Sequence, residues 1–215
     1  MALNFITVDE KLFYLFLQTK PNQIRSIVIN TITPQITEEI IKKLKAGKGY
    51  FKTGKVHNGQ LNRVEVSVIR TEMGAPNEAV FMELMHRAHV KAVIRCDVCG
   101  SLSETVPIGS VFTALKALIG EGTSPYYLRK YDRLALIQTI RTTNSIEVDP
   151  KIKEMCLSLA LSPQGTIWTT DALFCEDQRE VGLWQAQGAT AVDMETSILY
   201  RSEERRVGKE CRSRW

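Results

Sequence analysis

The sequence predicts an α/β fold with a mixed, mostly parallel central sheet flanked by helices, and three observations predict it. Short β-branched runs alternate along the chain with segments of helical period. The loops between them are short and carry glycine or proline. The 215 residues, 44% hydrophobic and 24% charged, suffice to bury a core. Strands that alternate with helices lie parallel most readily, because each helix returns the chain across one face of the sheet.

Taken in order, Glu10 to Gln18 has the apolar spacing of an amphipathic helix and is followed by Pro21, and Ser26-Ile-Val-Ile29 is a buried strand. Ile40, Ile41 and Leu44 form one face of a helix over Glu38 to Lys45, which Gly47 and Gly49 close. Gly49 to Val56 and Arg63 to Arg70 are expected as strands, with His57-Asn-Gly59 as the hairpin turn between them. Met73-Gly-Ala-Pro76 breaks the second strand, Asn77 to Ala88 is helical, and Lys91 to Arg95 is a short apolar strand. Further strands near Thr105 to Phe112 and Gly165 to Trp168 alternate with helices at Asp132 to Thr143, Pro150 to Ala160 and Gln178 to Gln187. A last strand, Ala189 to Asp193, runs into a helix. No repeat, low-complexity tract or linker divides this single domain. Ligands of such sheets lie beyond the carboxyl ends of strands, here Asn30 to Thr33, Arg95 to Gly100, Thr169 to Asp171 and Asp193 to Glu195.

Composition removes several classes. No run approaches the length of a membrane span, and Asp9, Glu10 and Lys11 interrupt the apolar opening, so a signal peptide is not expected. Five cysteines without the spacing of a secreted framework fit reduced thiols in the cytoplasm. The net charge of +4 is concentrated in residues 201–215, which hold six basic and three acidic side chains. The first 200 residues then carry 22 basic and 21 acidic groups, a balance that gives no footprint for nucleic acid. The segment 201–215 abandons the helical apolar pattern and resembles the translation of a sequencing adapter. It is expected to be a non-native tail, with the domain occupying residues 1–200.

Arg95 ends an apolar strand, where its guanidinium can present a planar fork of donors to an anion or simply solvate the strand end. Glu195 stands where the last strand passes into a helix. Its carboxylate can accept two vicinal hydroxyls of a sugar, or serve only as a first-turn acid favoured by the helix dipole. Thr169-Thr-Asp171 suits a polar pocket wall or an N-cap, and Glu121-Gly-Thr-Ser-Pro-Tyr-Tyr127 a lid or a plain turn. Cys96-Asp-Val-Cys99 is one CxxC without a second pair or a spaced histidine, so structural thiols are expected and no metal. No phosphate loop, GxGxxG, GxSxG or HExxH motif occurs.

Several segments fall in one order: Met73-Gly-Ala-Pro76, Val90 to Arg95 with Cys99-Gly-Ser-Leu102, Ile108-Gly109, Glu121-Gly-Thr-Ser124, Thr169-Thr-Asp171, and Gly188 to Thr196 with its Asp-Met-Glu. In that order, over Ile27 to Tyr200, the chain resembles the purine and uridine nucleoside phosphorylase superfamily. The resemblance implies a three-layer domain and a pentosyltransferase. Such an enzyme cleaves the N-glycosidic bond of a nucleoside with inorganic phosphate as co-substrate and no other cofactor, giving a free base and a pentose 1-phosphate. Arg95 then matches the phosphate-binding arginine, with Thr31 on the loop after the first strand. Met194 and Glu195 match the pair that packs on the sugar and accepts its hydroxyls. Thr170, Asp171 and Phe174 fall in the base-binding segment. The catalytic pair implied is Arg95 and Glu195, and the assembly implied is a homo-oligomer, a dimer or a hexamer.

The departures define the alternatives. Asn30-Thr-Ile-Thr-Pro34 replaces the usual Gly-Asp-Pro loop, and Asp97-Val98 replaces a Gly-Ser/Thr pair, which sets a negative charge where phosphate should sit, repulsive unless turned away or paired. A hydrolytic nucleosidase that uses water is therefore the alternative reaction, and a non-catalytic nucleoside binder the alternative class. The family's further strand and closing helix would fall beyond Tyr200, so a truncated domain is expected.

Overall fold

The computed structural model describes residues 9–127, 145–159 and 163–207. The helix expected at Asp132 to Thr143 lies outside them. The chain is mixed α/β and clusters into two compact units, Met1–Glu72 with Val80–Val98, and Met73–Ala79 with Cys99–Trp215. Among the described residues the strands form two five-stranded sheets, one in each unit, where one central sheet was expected. Apolar period and strand length reveal that a segment is a strand but not which strand it pairs with.

The first unit opens with α1 (Asp9–Leu17), followed by β1 (Ile27–Thr31), α2 (Pro34–Ala46), β2 (Phe51–Thr53), β3 (Val56–Leu61) and β4 (Val64–Arg70). α3 (Ala75–Arg87) gives its first turn to the second unit and the remainder to the first, which β5 (Ala92–Arg95) completes. The sheet order is β2-β3-β4-β1-β5, with β1 parallel to both β4 and β5 and the β2-β3-β4 meander antiparallel. Pro34 begins α2 where its missing N–H costs no hydrogen bond, and Lys43 and Lys45 in the last turn suit the negative end of the dipole. Leu44 of α2 joins Val66 and Val68 in a core packed by Ile27, Ile29, Ile40 and Ile41.

The expected turn at His57-Asn-Gly59 is instead the middle of β3. The reversal into β4 falls at Asn62 and Arg63, both left-handed at φ 48° and 70°, as a two-residue hairpin loop requires. Gly59 is there for another reason: a Cβ would stand 2.9 Å from the Leu44 side chain, so the glycine lets α2 approach the sheet. Asn58 is fully buried and accepts from Ser67 Oγ at 2.6 Å.

The second unit holds β6 (Gly100–Ser101), β7 (Thr113–Gly120), α4 (Ser124–Tyr127), β8 (Ser145–Glu147), α5 (Pro150–Ser158), β9 (Gln164–Thr170), α6 (Gln178–Ala186), β10 (Ala191–Asp193) and α7 (Thr196–Val207). Its sheet order is β6-β10-β9-β7-β8, with β9 parallel to β7 and β10 and antiparallel strands at both edges. Alternation along the strands builds two cores. Ala117, Ile167 and Ala191 meet Tyr200 of α7, while Leu118, Trp168 and Val192 meet Trp184 of α6. Helices therefore cover both faces, three layers within this unit.

The expected strand at Thr105 to Phe112 is irregular, and pairing starts only at Thr113. Val106 is buried, but Ile108 is 99% and Val111 74% exposed, and Pro107 and the left-handed Gly109 interrupt any ladder. The last helix does not stop at Tyr200. It runs to Val207 with Arg201 and Ser202 buried, so the helix extends into the segment set apart by composition. Tyr200 Oη donates to the Ala114 carbonyl at 2.6 Å, and burial, then Asp193 and Cys156, push its phenol pKa up.

Trp168 and Trp184 stack with centroids 5.4 Å apart, and a Cβ on Gly120 would lie 2.4 Å from the Trp168 indole. Gly120→Ala must displace that stack and is expected to cost about 1–3 kcal/mol, read as a lower urea midpoint at constant slope. An unchanged midpoint would show that the indole moves freely. No helix of the described residues is long and apolar enough to cross a membrane.

Candidate functional site

In the first unit the candidates gather at the carboxyl ends of β1 and β5, adjacent parallel strands with Asn30 opposite Arg95. The ladder continues one step, Cys96 N–H donating to the Asn30 carbonyl at 2.9 Å, and this delivers Asp97 to the start of α2. The Asp97 carboxylate accepts from the Ile32 N–H and the Thr33 N–H, from Thr33 Oγ1 at 2.5 Å and from its neighbour Val98 N–H at 2.9 Å. Arg95 Nη2 lies 3.9 Å from Asp97 Oδ2, and the two side chains are 9% and 7% exposed. Arg95 thus points where the sequence placed it, toward an anion, and that anion is a carboxylate of the same chain. Thr31 is fully buried, and its hydroxyl lies 2.7 Å from that of Thr37, which donates to the Thr33 carbonyl.

In the second unit β7, β9 and β10 end at one edge of the sheet. Thr169 Oγ1 donates to Asp193 Oδ1 at 2.9 Å and accepts from the Ser197 N–H at 3.0 Å. Asp193 Oδ2 accepts from the N–H and hydroxyl of Thr196, which caps α7 and fixes the Met194-Glu195 link between strand and helix. Glu195 is 3% exposed, and its Oε1 accepts from the Gly74 N–H at 2.7 Å. Gly74 has φ +102°, a conformation that side chains rarely adopt, and the first turn of α3 packs through Ala75 and Ala79 on Ile198. Met194 is half-buried.

Thr170 is buried, and its Oγ1 accepts from the Ala172 N–H at 3.2 Å. Asp171 is exposed at the rim and its Oδ2 accepts from the Gly122 N–H at 2.8 Å, tying the loop after β9 to the loop after β7. The structure therefore brings Thr170, Asp171, Met194 and Glu195 to one sheet edge. Phe174 follows on a single helical turn, Leu173–Cys175, with its ring 99% exposed.

Glu121 was legible only as part of a loop. Its carboxylate is 5% exposed and accepts from Thr123 and Ser124 N–H groups and from Ser197 Oγ. An acid directly after a strand and two residues before Thr-Ser is the signal that marks such a self-capping loop. Cys96 and Cys99 are free thiols. Burial raises both pKa values, aided by Asp97 for Cys96 and by Asp193 for Cys99, so neither is an activated nucleophile. Among the described residues no group of His, Cys, Asp and Glu is placed to hold a metal ion.

A profile of the Phosphorylase superfamily matches residues 26–201, and the chain belongs to that family. It is 29% identical over 137 residues to a DeoD-type purine nucleoside phosphorylase of Thermoanaerobacter sp. (strain X514), covering 63% of this chain and 56% of that protein. The chain thus spans little more than half the length of such curated relatives. The crystal structure of uridine phosphorylase from Vibrio fischeri ES114 is similar at a TM-score of 0.72 and 19% identity, over 89% of this chain and 78% of that one. That of AMP nucleosidase from Bacteroides thetaiotaomicron VPI-5482 is similar at 0.68 and 21%, over 90% and 79%. These likenesses show the fold, one shared by phosphorylases and nucleosidases.

Proposed function

We propose that the chain cleaves the N-glycosidic bond of a nucleoside, with Glu195 accepting hydrogen bonds from the pentose hydroxyls and Met194 packed on the sugar face. The observation that carries this reading is the Glu195 carboxylate, buried yet standing at the sheet edge, held at Oε1 by the Gly74 N–H and framed by a capped strand-to-helix link. A carboxylate fixed in this way grips hydroxyls while positive charge develops on the ring, which is what an oxocarbenium-like transition state demands. Thr170, Asp171 and Phe174 flank the base in this reading, and the active form is a cytoplasmic homo-oligomer.

Water is the acceptor that the geometry favours. The C1′–N bond breaks with its electron pair leaving on the base, the water oxygen bonds to C1′, and the water proton ends on the base. Asp97 supports this, since it stands among the donors that a phosphate would need. Phosphorolysis is the second reading, supported by the name of the purine nucleoside phosphorylase relatives and by Arg95 at the end of β5. Chromatography of a nucleoside panel incubated with the chain, with and without inorganic phosphate, tests both. Base release that does not need phosphate is expected, and strict dependence on phosphate would favour the second reading. Thermal stabilisation by nucleosides without any base release would leave a binding protein.

A further inference from the structure

The donors around Asp97 are those of an oxyanion site. Two successive backbone N–H groups and a threonine hydroxyl meet at the beginning of a 13-residue helix, with Arg95 Nη2 3.9 Å from the carboxylate they hold, and the Arg95 and Asp97 side chains are largely buried. A surface aspartate that merely capped a helix would need one or two of these. Here both carboxylate oxygens are engaged, Oδ1 by Thr33 and Val98 and Oδ2 by Ile32, with the guanidinium beside it. The lone pairs are turned to fixed donors, so this carboxylate is a poor candidate to take a proton from water. Its role is occupancy.

We propose that Asp97 is a tethered anion filling a latent phosphate site at the carboxyl ends of β1 and β5, a site that would otherwise admit inorganic phosphate. Arg95 and Asp97 form a neutral pair. A phosphate dianion entering the same cradle would displace the carboxylate or sit against it at contact distance, while the loop Cys96–Val98 holds that carboxylate at high local concentration. The inference rests on the preceding reading only for its consequence in the reaction; the masked anion site itself can be measured without any nucleoside.

The test is inorganic phosphate binding by the whole chain, followed by thermal shift and calorimetry, for the parent, Asp97→Gly, Asp97→Asn and Asp97→Gly with Arg95→Gln. The parent is expected to show no phosphate-dependent shift. Asp97→Gly removes the carboxylate that accepts from the Ile32 and Thr33 N–H groups and stands beside the Arg95 guanidinium, so it should be less stable without phosphate and recover with it. Binding should strengthen by as much as about 10³-fold over the parent, as removal of one like charge at about 4 Å allows. Asp97→Asn keeps an acceptor and loses the charge, and should show a smaller gain. The double variant should lose the gain. Should the glycine variant be insoluble, its recovery on refolding in phosphate but not in chloride supports the site. Phosphate binding by the parent as tight as by the variants, or folded variants that bind none, or variants that phosphate does not recover, would overturn the proposal. Base release by the parent without phosphate is scored separately: its absence strikes the nucleoside-cleaving reading and leaves the binding result standing.

Discussion

Glu195→Gln is expected to lower kcat/KM for ribonucleoside cleavage by about 10²- to 10⁴-fold while leaving the fold intact. Two hydrogen bonds from sugar hydroxyls to a carboxylate contribute roughly 1.5–3 kcal/mol each, and their loss from the transition state converts directly into that range. The amide can still turn its oxygen to the Gly74 N–H, the contact that holds Oε1 at 2.7 Å, so near-UV circular dichroism should match the parent. The diagnostic is the substrate series. A 2′-deoxynucleoside already lacks one of the two hydroxyls, so the substitution should cost it clearly less than it costs the ribonucleoside. Equal losses on both substrates would show that Glu195 touches no 2′-hydroxyl, and no loss on either would remove it from the site.

The sequence discloses the parts of this fold that depend on short-range pattern. The valines at 64, 66 and 68 and the run of Ile27 to Ile29 place strands within a residue or two, because β-branched runs favour extended backbone, although burial in β4 covers the consecutive residues Val66 to Ile69 and leaves Val64 exposed. It misleads where one residue serves two purposes. Asn58-Gly59 has the strongest two-residue turn signal in the chain, yet Asn58 is a buried strand residue and Gly59 makes room for Leu44, a long-range contact that no local pattern encodes. The apolar stretch before Thr113 fails differently: Ile108 and Val111 have strand composition but nothing of their own unit covers them. Among the candidate residues, Arg95 in the first unit and Glu195 in the second are each visible as residues at strand ends, since β-ends collect function in α/β folds. What the sequence cannot supply is the partner of each. Asp97 appears in it as an unwelcome charge and becomes intelligible only once the N–H groups of Ile32 and Thr33, 65 and 64 residues away, are seen to point at it.

The largest loss of stability is expected from Glu121→Ala. This carboxylate is 5% exposed and holds the Thr123 N–H at 2.5 Å, the Ser124 N–H at 2.9 Å and Ser197 Oγ at 2.9 Å. It thereby closes the loop after β7 on itself and pins that loop to the second residue of α7. Alanine would leave two backbone donors and a hydroxyl without acceptors in a nearly dry place, at about 1–3 kcal/mol each, so a loss of at least about 3 kcal/mol is expected even if water enters the space. Ser197→Ala removes one donor and leaves the carboxylate its two N–H partners, and should cost only about 1 kcal/mol. Glu121→Gln keeps one oxygen but turns an NH2 toward groups that are themselves donors, and should fall between the two. Urea unfolding followed by tryptophan fluorescence gives the three midpoints, with the slope as a check that the unfolded surface is unchanged. Because Ser197 lies two residues after Glu195, the same series should lower kcat in the order of the stability losses, measured well below each variant's unfolding temperature. A Glu121→Ala protein as stable as the parent would mean that the loop finds other acceptors, and a Ser197→Ala loss equal to that of Glu121→Ala would place the cost in the hydroxyl and not in the self-capped loop.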